Sequence, residues 1–92
     1  MLNATLIVLA SWYAVGLPNP EGMTVASRTY PRGTRLELRV DPSKPWLKVV
    51  VNDIGPDKRI FPERGLDVSR GVARKLGMLK RGLALVEVRV AK

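Results

Sequence analysis

Apolar and polar residues alternate with period two along several stretches of this chain, the mark of strands with one buried face. From Thr34 to Val40, Leu36, Leu38 and Val40 face one way, and Arg35, Glu37 and Arg39 the other. From Leu83 to Val90, Val86, Val88 and Val90 oppose Glu87 and Arg89. Two further strands are expected, Ala4 to Tyr13 and Trp46 to Asp53, both rich in β-branched and large apolar residues. The run Val49-Val50-Val51 predicts burial on both faces of the latter. Shorter strands are expected at Met23 to Ser27 and Arg59 to Phe61. A single helix is expected near residues 69–77: Ser69 suits the N-cap, Val72, Ala73 and Leu76 form an apolar stripe, and Gly77 suits the left-handed position beyond its end. Gly and Pro clusters (Gly16 to Pro20, Pro31 to Gly33, Asp41 to Pro45, Gly55-Pro56) mark loops, and none reads as an interdomain linker. Residues 1–92 are therefore taken as one domain, with a core drawn from Leu6, Val8, Leu38, Val49, Val51, Leu76, Val86 and Val88.

A faint repeat runs through this pattern. Val25-Ala26-Ser27-Arg28 leads to Arg32-Gly33 and on to Leu36 through Val40. Val72-Ala73-Arg74-Lys75 leads to Arg81-Gly82 and on to Val86 through Val90. Chance similarity among alternating strands is one reading. The other is two similar halves related by a pseudo-two-fold, closing into a barrel that leaves no sheet edge exposed.

Composition narrows the chemistry. There is no cysteine and no histidine, so disulfides, Cys-based metal sites, Ser-His-Asp and Cys-His nucleophiles and the commonest zinc ligand are all excluded. No metal site and no small-molecule cofactor is expected. Proton transfer, if any, must use the 8 Asp and Glu. The 16 Lys and Arg leave a net charge of +8, which reads either as a basic solvated surface or as attraction to a polyanion. The apolar start, Met1 to Ala10, lacks a basic leader region and is too short to span a bilayer. It is expected to be a buried first strand, with no transmembrane segment and no recognisable signal peptide.

Several motifs resemble those of the RlpA-like double-psi β-barrels, a family related to expansins and barwin-like proteins. Ala10-Ser11-Trp12-Tyr13 resembles the family's ASWYG. Met23 through Thr34 resembles TAAHRTLPFGT, and Val49 through Pro56 resembles VVVRVNDRGP. Leu66-Asp67-Val68-Ser69 with Ala73 and Leu76-Gly77-Met78 resembles IDLS…A…LGM, and the last strand resembles GVAPVRVEV. The resemblance implies an all-β, six-stranded double-psi β-barrel with one short helix. It also implies lytic transglycosylase activity on peptidoglycan glycan strands, in the cell envelope or secreted to it, by a protein expected to be monomeric. Two departures stand out: Ser27 falls where the family has histidine, and the segment from Tyr13 to Met23 is shorter than the family's Gly-rich loop, with Ala14 for its glycine.

Asp53 ends an apolar strand, where desolvation can raise a carboxyl's pKa as a general acid requires. The plainer reading is a turn in which its side chain accepts from nearby backbone N–H groups. The resemblance makes it the essential acid. Asp67 lies just ahead of the helix cap, so it reads either as a helix-end carboxylate or, by likeness to expansins, as a second essential acid. Ser27, Thr24, Asn52, Tyr13 and Trp12 are candidate substrate contacts, and Trp46 a further stacking surface. Trp12 and Tyr13, being adjacent on a strand, must face opposite ways, one to the core and the other either packed as well or stacked on sugar. Arg28, Arg32, Lys58, Arg59 and Arg64 could line an anionic groove or simply be solvated. Three functions follow: cleavage of wall glycan, non-catalytic expansin-like glycan binding, and nucleic-acid binding. The last rests on charge alone and is disfavoured, since neither a basic helix nor an interleaved aromatic pattern is present.

Overall fold

A computed structural model describes residues 5–13, 17–56, 59 and 64–91, with Arg64 as backbone only. Its strands are β1 (Leu6–Tyr13), β2 (Thr24–Ser27), β3 (Arg35–Arg39), β4 (Leu47–Asp53), β5 (Arg64–Ser69) and β6 (Leu83–Val90), with helix α1 (Arg70–Leu76) between the last two. They close into a barrel in the order β1-β5-β2-β4-β3-β6. The β1–β5 and β2–β4 ladders are parallel and the other four antiparallel. Exchanging β1 with β4, β2 with β5 and β3 with β6 leaves every pairing and its direction unchanged. The pseudo-two-fold read from the repeat is thus present in the topology. Its β3–β6 correspondence holds, but the counterpart of β2 is β5, not the helix.

The inward faces of the strands supply the core. Val25 of β2 pairs with Val51 of β4 and Val68 of β5, and Leu36, Leu38, Val49, Val86 and Val88 join them, all almost fully enclosed. Each such side chain contributes roughly 1.5–3 kcal/mol by leaving water. Val72, Ala73 and Met78 close the barrel from the helical side. The helix begins where Ser69 Oγ accepts from Val72 N–H at 3.1 Å. It ends at Gly77, in the left-handed region at φ 73°, whose N–H turns back to Ala73 and Arg74 carbonyls.

The structure corrects the sequence reading at Leu6, Val50, Val8 and Leu76. Leu6 is 43% exposed: its side of β1 faces the interior, but it sits at the strand's first residue, beyond the enclosed layers. Val50 is 40% exposed, because a barrel wall is one layer thick and β4 alternates despite three consecutive valines. Strand β5, Arg64–Ser69, has no counterpart in the sequence reading, and the strand expected at Arg59 to Phe61 lies outside the described residues apart from Arg59, which is in a turn. Gly65 and Asp67 are poor strand formers, and tertiary pairing to β1 and β2 overrides that preference. Leu76 and Val8 pack at the core's margin rather than its centre. Among the described residues no helix is long and apolar enough to cross a membrane.

Candidate active site

Strand parity alone would bury Asp53. Val49 and Val51 point inward, so the next residue of that phase should as well. The β2–β4 ladder breaks this phase: Val25 pairs with Val51 and Ala26 with Asp53, so Asn52 is an extra, unpaired residue. This bulge re-aims the strand end and turns Asp53 outward. Ala26 also pairs with Asp67 on its other side, and Asp67 pairs with Ser11 of β1. Asp53, Ala26, Asp67 and Ser11 therefore form one outward row across four adjacent strands. The two aspartate Cα atoms are two strand spacings apart, roughly 10 Å.

The row has a small centre. Ala26 contributes only a methyl, and Gly55, folding back from the end of β4, lies over it. A Cβ on Gly55 would stand 3.7 Å from both the Ala26 methyl and Asp67 Oδ2, and its φ of 154° is one that side chains rarely adopt. The Gly55-Pro56 peptide is cis.

The two carboxylates have different surroundings. Asp53 is 52% exposed, with Oδ1 accepting from Ile54 N–H at 2.8 Å and facing Arg32 Nη2 at 3.4 Å. The turn-forming role is thus real, and the desolvation expected of a strand end is not found. Asp67 is half-buried, and Ser11 Oγ–H donates to its Oδ1. Ser11, almost wholly enclosed, fixes that carboxylate's orientation. Tyr13, two residues along β1, shares this face. Its phenol is held above the ordinary value of 10.0, first by burial and then by the charges of Asp53 and Asp67. It is a neutral hydrogen-bond donor beside two acids.

The other candidates are placed as follows. Asn52 is exposed in the bulge beside Asp53. Thr24 lies on the same outward face one residue pair along β2, opposite Val50. Ser27 does not open on the row. It is 2% exposed and pairs with the inward Leu66, and its Oγ accepts from the Thr29 and Tyr30 N–H groups at 3.0 and 2.9 Å. Trp12 faces the other way, packing on the core with Nε1 donating to the Leu79 carbonyl at 3.1 Å. Of the adjacent aromatic pair, it is Tyr13 that belongs to the site. Trp46 lies just before β4, at the end away from Asp53, its ring held against the Arg39 and Arg89 guanidiniums at 4.0 and 3.9 Å. Arg32 reaches the row and Arg28 bonds the Pro56 carbonyl at 3.4 Å, while Lys58 and the Arg64 side chain lie outside the described residues. Ser11 was missed, although its two-residue spacing from Tyr13 placed both on one face.

A family model described as "Lytic transglycolase" matches residues 8–88. The chain belongs to that family, the RlpA-like double-psi β-barrels. It is also 42% identical over 72 residues to "Probable endolytic peptidoglycan transglycosylase RlpA" of Nostoc sp. strain PCC 7120, a match covering 78% of this chain and 19% of that protein. The chain thus spans about a fifth of that relative's length. In this RlpA-like barrel Ser27, which the motif resemblance set against the family's histidine, is the enclosed last residue of β2. The two aspartates flank Ala26, which Gly55 covers.

Proposed function

We propose that this barrel cleaves the glycan strands of peptidoglycan as a lytic transglycosylase, with Asp53 as acid and then base. One observation carries the reading: Asp53 and Asp67 stand in a single outward row on either side of Ala26, with the Tyr13 phenol beside them. In the reaction, the Asp53 carboxylic acid gives its proton to the oxygen linking muramic acid to the next glucosamine, and the C1–O bond breaks. The sugar's own 6-hydroxyl oxygen then bonds to C1 and yields its proton to the Asp53 carboxylate, leaving a 1,6-anhydro ring. No water is consumed and the acid is regenerated. One carboxyl suffices for both transfers, whereas hydrolysis needs two at a controlled separation. In this scheme Asp67, oriented by Ser11, stabilises the positive charge that develops at C1, and Tyr13 donates to a sugar oxygen. Exposure of Asp53 in the free protein suits this scheme, because bound glycan covers the row and removes its water.

The substrate places this protein's work in the envelope or outside the cell. The test is release of soluble anhydro-muropeptides from purified peptidoglycan, scored by mass. Wild type should release them, and Asp53→Asn should release at least about 10²-fold less with fold retained. Equal release by the two would remove Asp53 as the acid.

A second reading, a non-catalytic glycan-binding module, is favoured by one observation. The site has no second titrating group at Ser27, and Asp53 is engaged by Arg32 and a backbone N–H. Glycan retention by wild type with no anhydro product at any enzyme concentration would establish it.

A further inference from the structure

The turn between β2 and β3 carries a cation to one end of the aspartate row. On one side of β4, Ala26 pairs with Asp53. On its other side the turn from Pro31 to Thr34 is laced to the strand. Gly33 N–H donates to the Val51 carbonyl at 2.8 Å, and Val51 N–H donates to the Thr34 carbonyl at 2.9 Å. The Pro31 carbonyl closes the turn by accepting from Thr34 N–H at 3.1 Å and from its Oγ–H at 2.7 Å. The backbone on both sides of Arg32 is thus held beside the end of β4, on the side of Asp53 away from Asp67.

The Arg32 side chain is not held in the same way. Among the described residues its one ion pair is with Asp53, Nη2 to Oδ1 at 3.4 Å, and the two side chains are 65% and 52% exposed. Charge-assisted bonds usually close to about 2.7–2.9 Å, and exposed pairs of this kind hold weakly. A guanidinium fits a carboxylate best through two parallel N–H bonds from its planar fork. Arg39 grips Glu87 in that manner, at 2.9 and 3.3 Å. Asp53 instead offers Arg32 a single oxygen, which already accepts from Ile54 N–H at 2.8 Å. An arginine serving only to hold the carboxylate would close on it as Arg39 closes on Glu87. Arg32 therefore presents an exposed fork, one weak contact away from release, beside the acid.

We propose that Arg32 is a specificity-determining residue that reads the carboxylate of the muramic acid ring on which Asp53 acts. The proposal rests on the wall-glycan reading above. Muramic acid bears its lactyl ether on C3 of the same ring whose C1–O bond breaks, so a strand seated on the row brings that carboxylate beside Asp53. Arg32 gives up its weak contact and takes the lactyl carboxylate in its fork. This anion is what distinguishes muramic acid from the neutral glucosamine that alternates with it. Arg32 thereby sets the register of the strand, with muramic acid at the cleaved position.

The experiment uses two forms of one substrate: glycan strands stripped of peptides, with free lactyl carboxylates, and the same strands with those carboxylates capped as methylamides. For wild type, kcat/KM for anhydro-product release should fall about tenfold on capping, the size expected for one charge-assisted pair. For Arg32→Gln the two forms should agree within about twofold, whatever the variant does to the rate itself, because the comparison is a double-mutant cycle. Arg32 is exposed, so the fold should persist, and a thermal melt checks it. Lys75→Gln, in the last turn of α1, removes a positive charge elsewhere and should discriminate as wild type does. Equal cleavage of both forms by wild type would overturn the proposal and leave the glycan reading standing. Discrimination kept by Arg32→Gln, or lost equally in Lys75→Gln, would also overturn it. If wild type binds the strands without cutting them, the same ratio is read from dissociation constants by calorimetry, with the same outcomes deciding. Neither binding nor cleavage of either form would overturn the glycan reading together with the proposal.

Discussion

Ser27 accepts two backbone hydrogen bonds inside an enclosed site, so its removal acts on folding before it acts on substrate. Ser27→Ala should cost about 1 kcal/mol in denaturant unfolding, the usual size for loss of such a cap, with glycan-cleaving activity per folded molecule unchanged. A fall in activity at full stability would show instead that the hydroxyl meets substrate. Tyr13 offers a direct probe of the row. Its raised pKa has burial as the first cause and the two aspartates as the next. Asp53→Asn and Asp67→Asn should therefore each move its titration down toward 10.0, followed by tyrosinate absorbance against Tyr30 as the other tyrosine. Linkage gives the sign for stability: a phenol kept neutral stabilises the fold below the unfolded value, and that contribution is lost as pH rises through the folded one. A Tyr13 titration unmoved by either substitution would mean the carboxylates do not face it.

At the scale of elements, the loop before β2 is clamped to the start of α1. Gly71 N–H donates to the Pro20 carbonyl at 2.9 Å, Ser69 Oγ–H donates to the Gly22 carbonyl at 2.5 Å, and Glu21 pairs with Arg70 and Arg74. A Cβ on Gly71 would fall 2.2 Å from the Glu21 carbonyl oxygen, which is backbone and cannot simply rotate away. Gly71→Ala should therefore destabilise by about 1–3 kcal/mol, seen as a lower urea midpoint. Hydrogen bonds from Arg70 and Arg74 hold the Glu21 carboxyl below its ordinary 4.5, so its stabilising effect is present above that pH and fades as pH falls through the lowered value. The stability gap between wild type and Glu21→Gln should close on acidification below 4.5. These elements also show what the sequence made legible. The alternation of β3 and β6 and the Ser69–Gly77 helix could be read directly, because period and caps are local signals. The strand at Arg64–Ser69 could not, since its pairing comes from β1 and β2 and its own residues argue against it. The outward aim of Asp53 depends on the Asn52 bulge, a property of the ladder that no run of residues announces. The motif resemblance pointed to both aspartates, and the ladders set them in one outward row although parity alone would have buried Asp53.

For the whole molecule, closure and charge govern how it meets its surroundings. A closed barrel presents no unpaired strand edge for another chain to extend. Of the 8 acids, Glu21, Glu37, Glu87 and Asp53 are paired with arginines, and under the proposed wall-glycan function the net charge of +8 acts as attraction for an anionic polymer. Such attraction acts over a Debye length of about 10 Å at 0.1 M salt and only about 3 Å at 1 M. Retention on isolated wall sacculi should therefore weaken steeply across that range, while contacts made by Tyr13 and the aspartate row, being short-ranged, persist as a residual that salt does not remove. Asp53→Asn should keep the salt-sensitive part intact, since it removes a negative charge and no basic one. Measuring bound fraction against salt for both proteins separates the two components. A wild-type retention that does not change between low and high salt would mean that the basic residues make no contact with the wall, and that the row alone holds the strand.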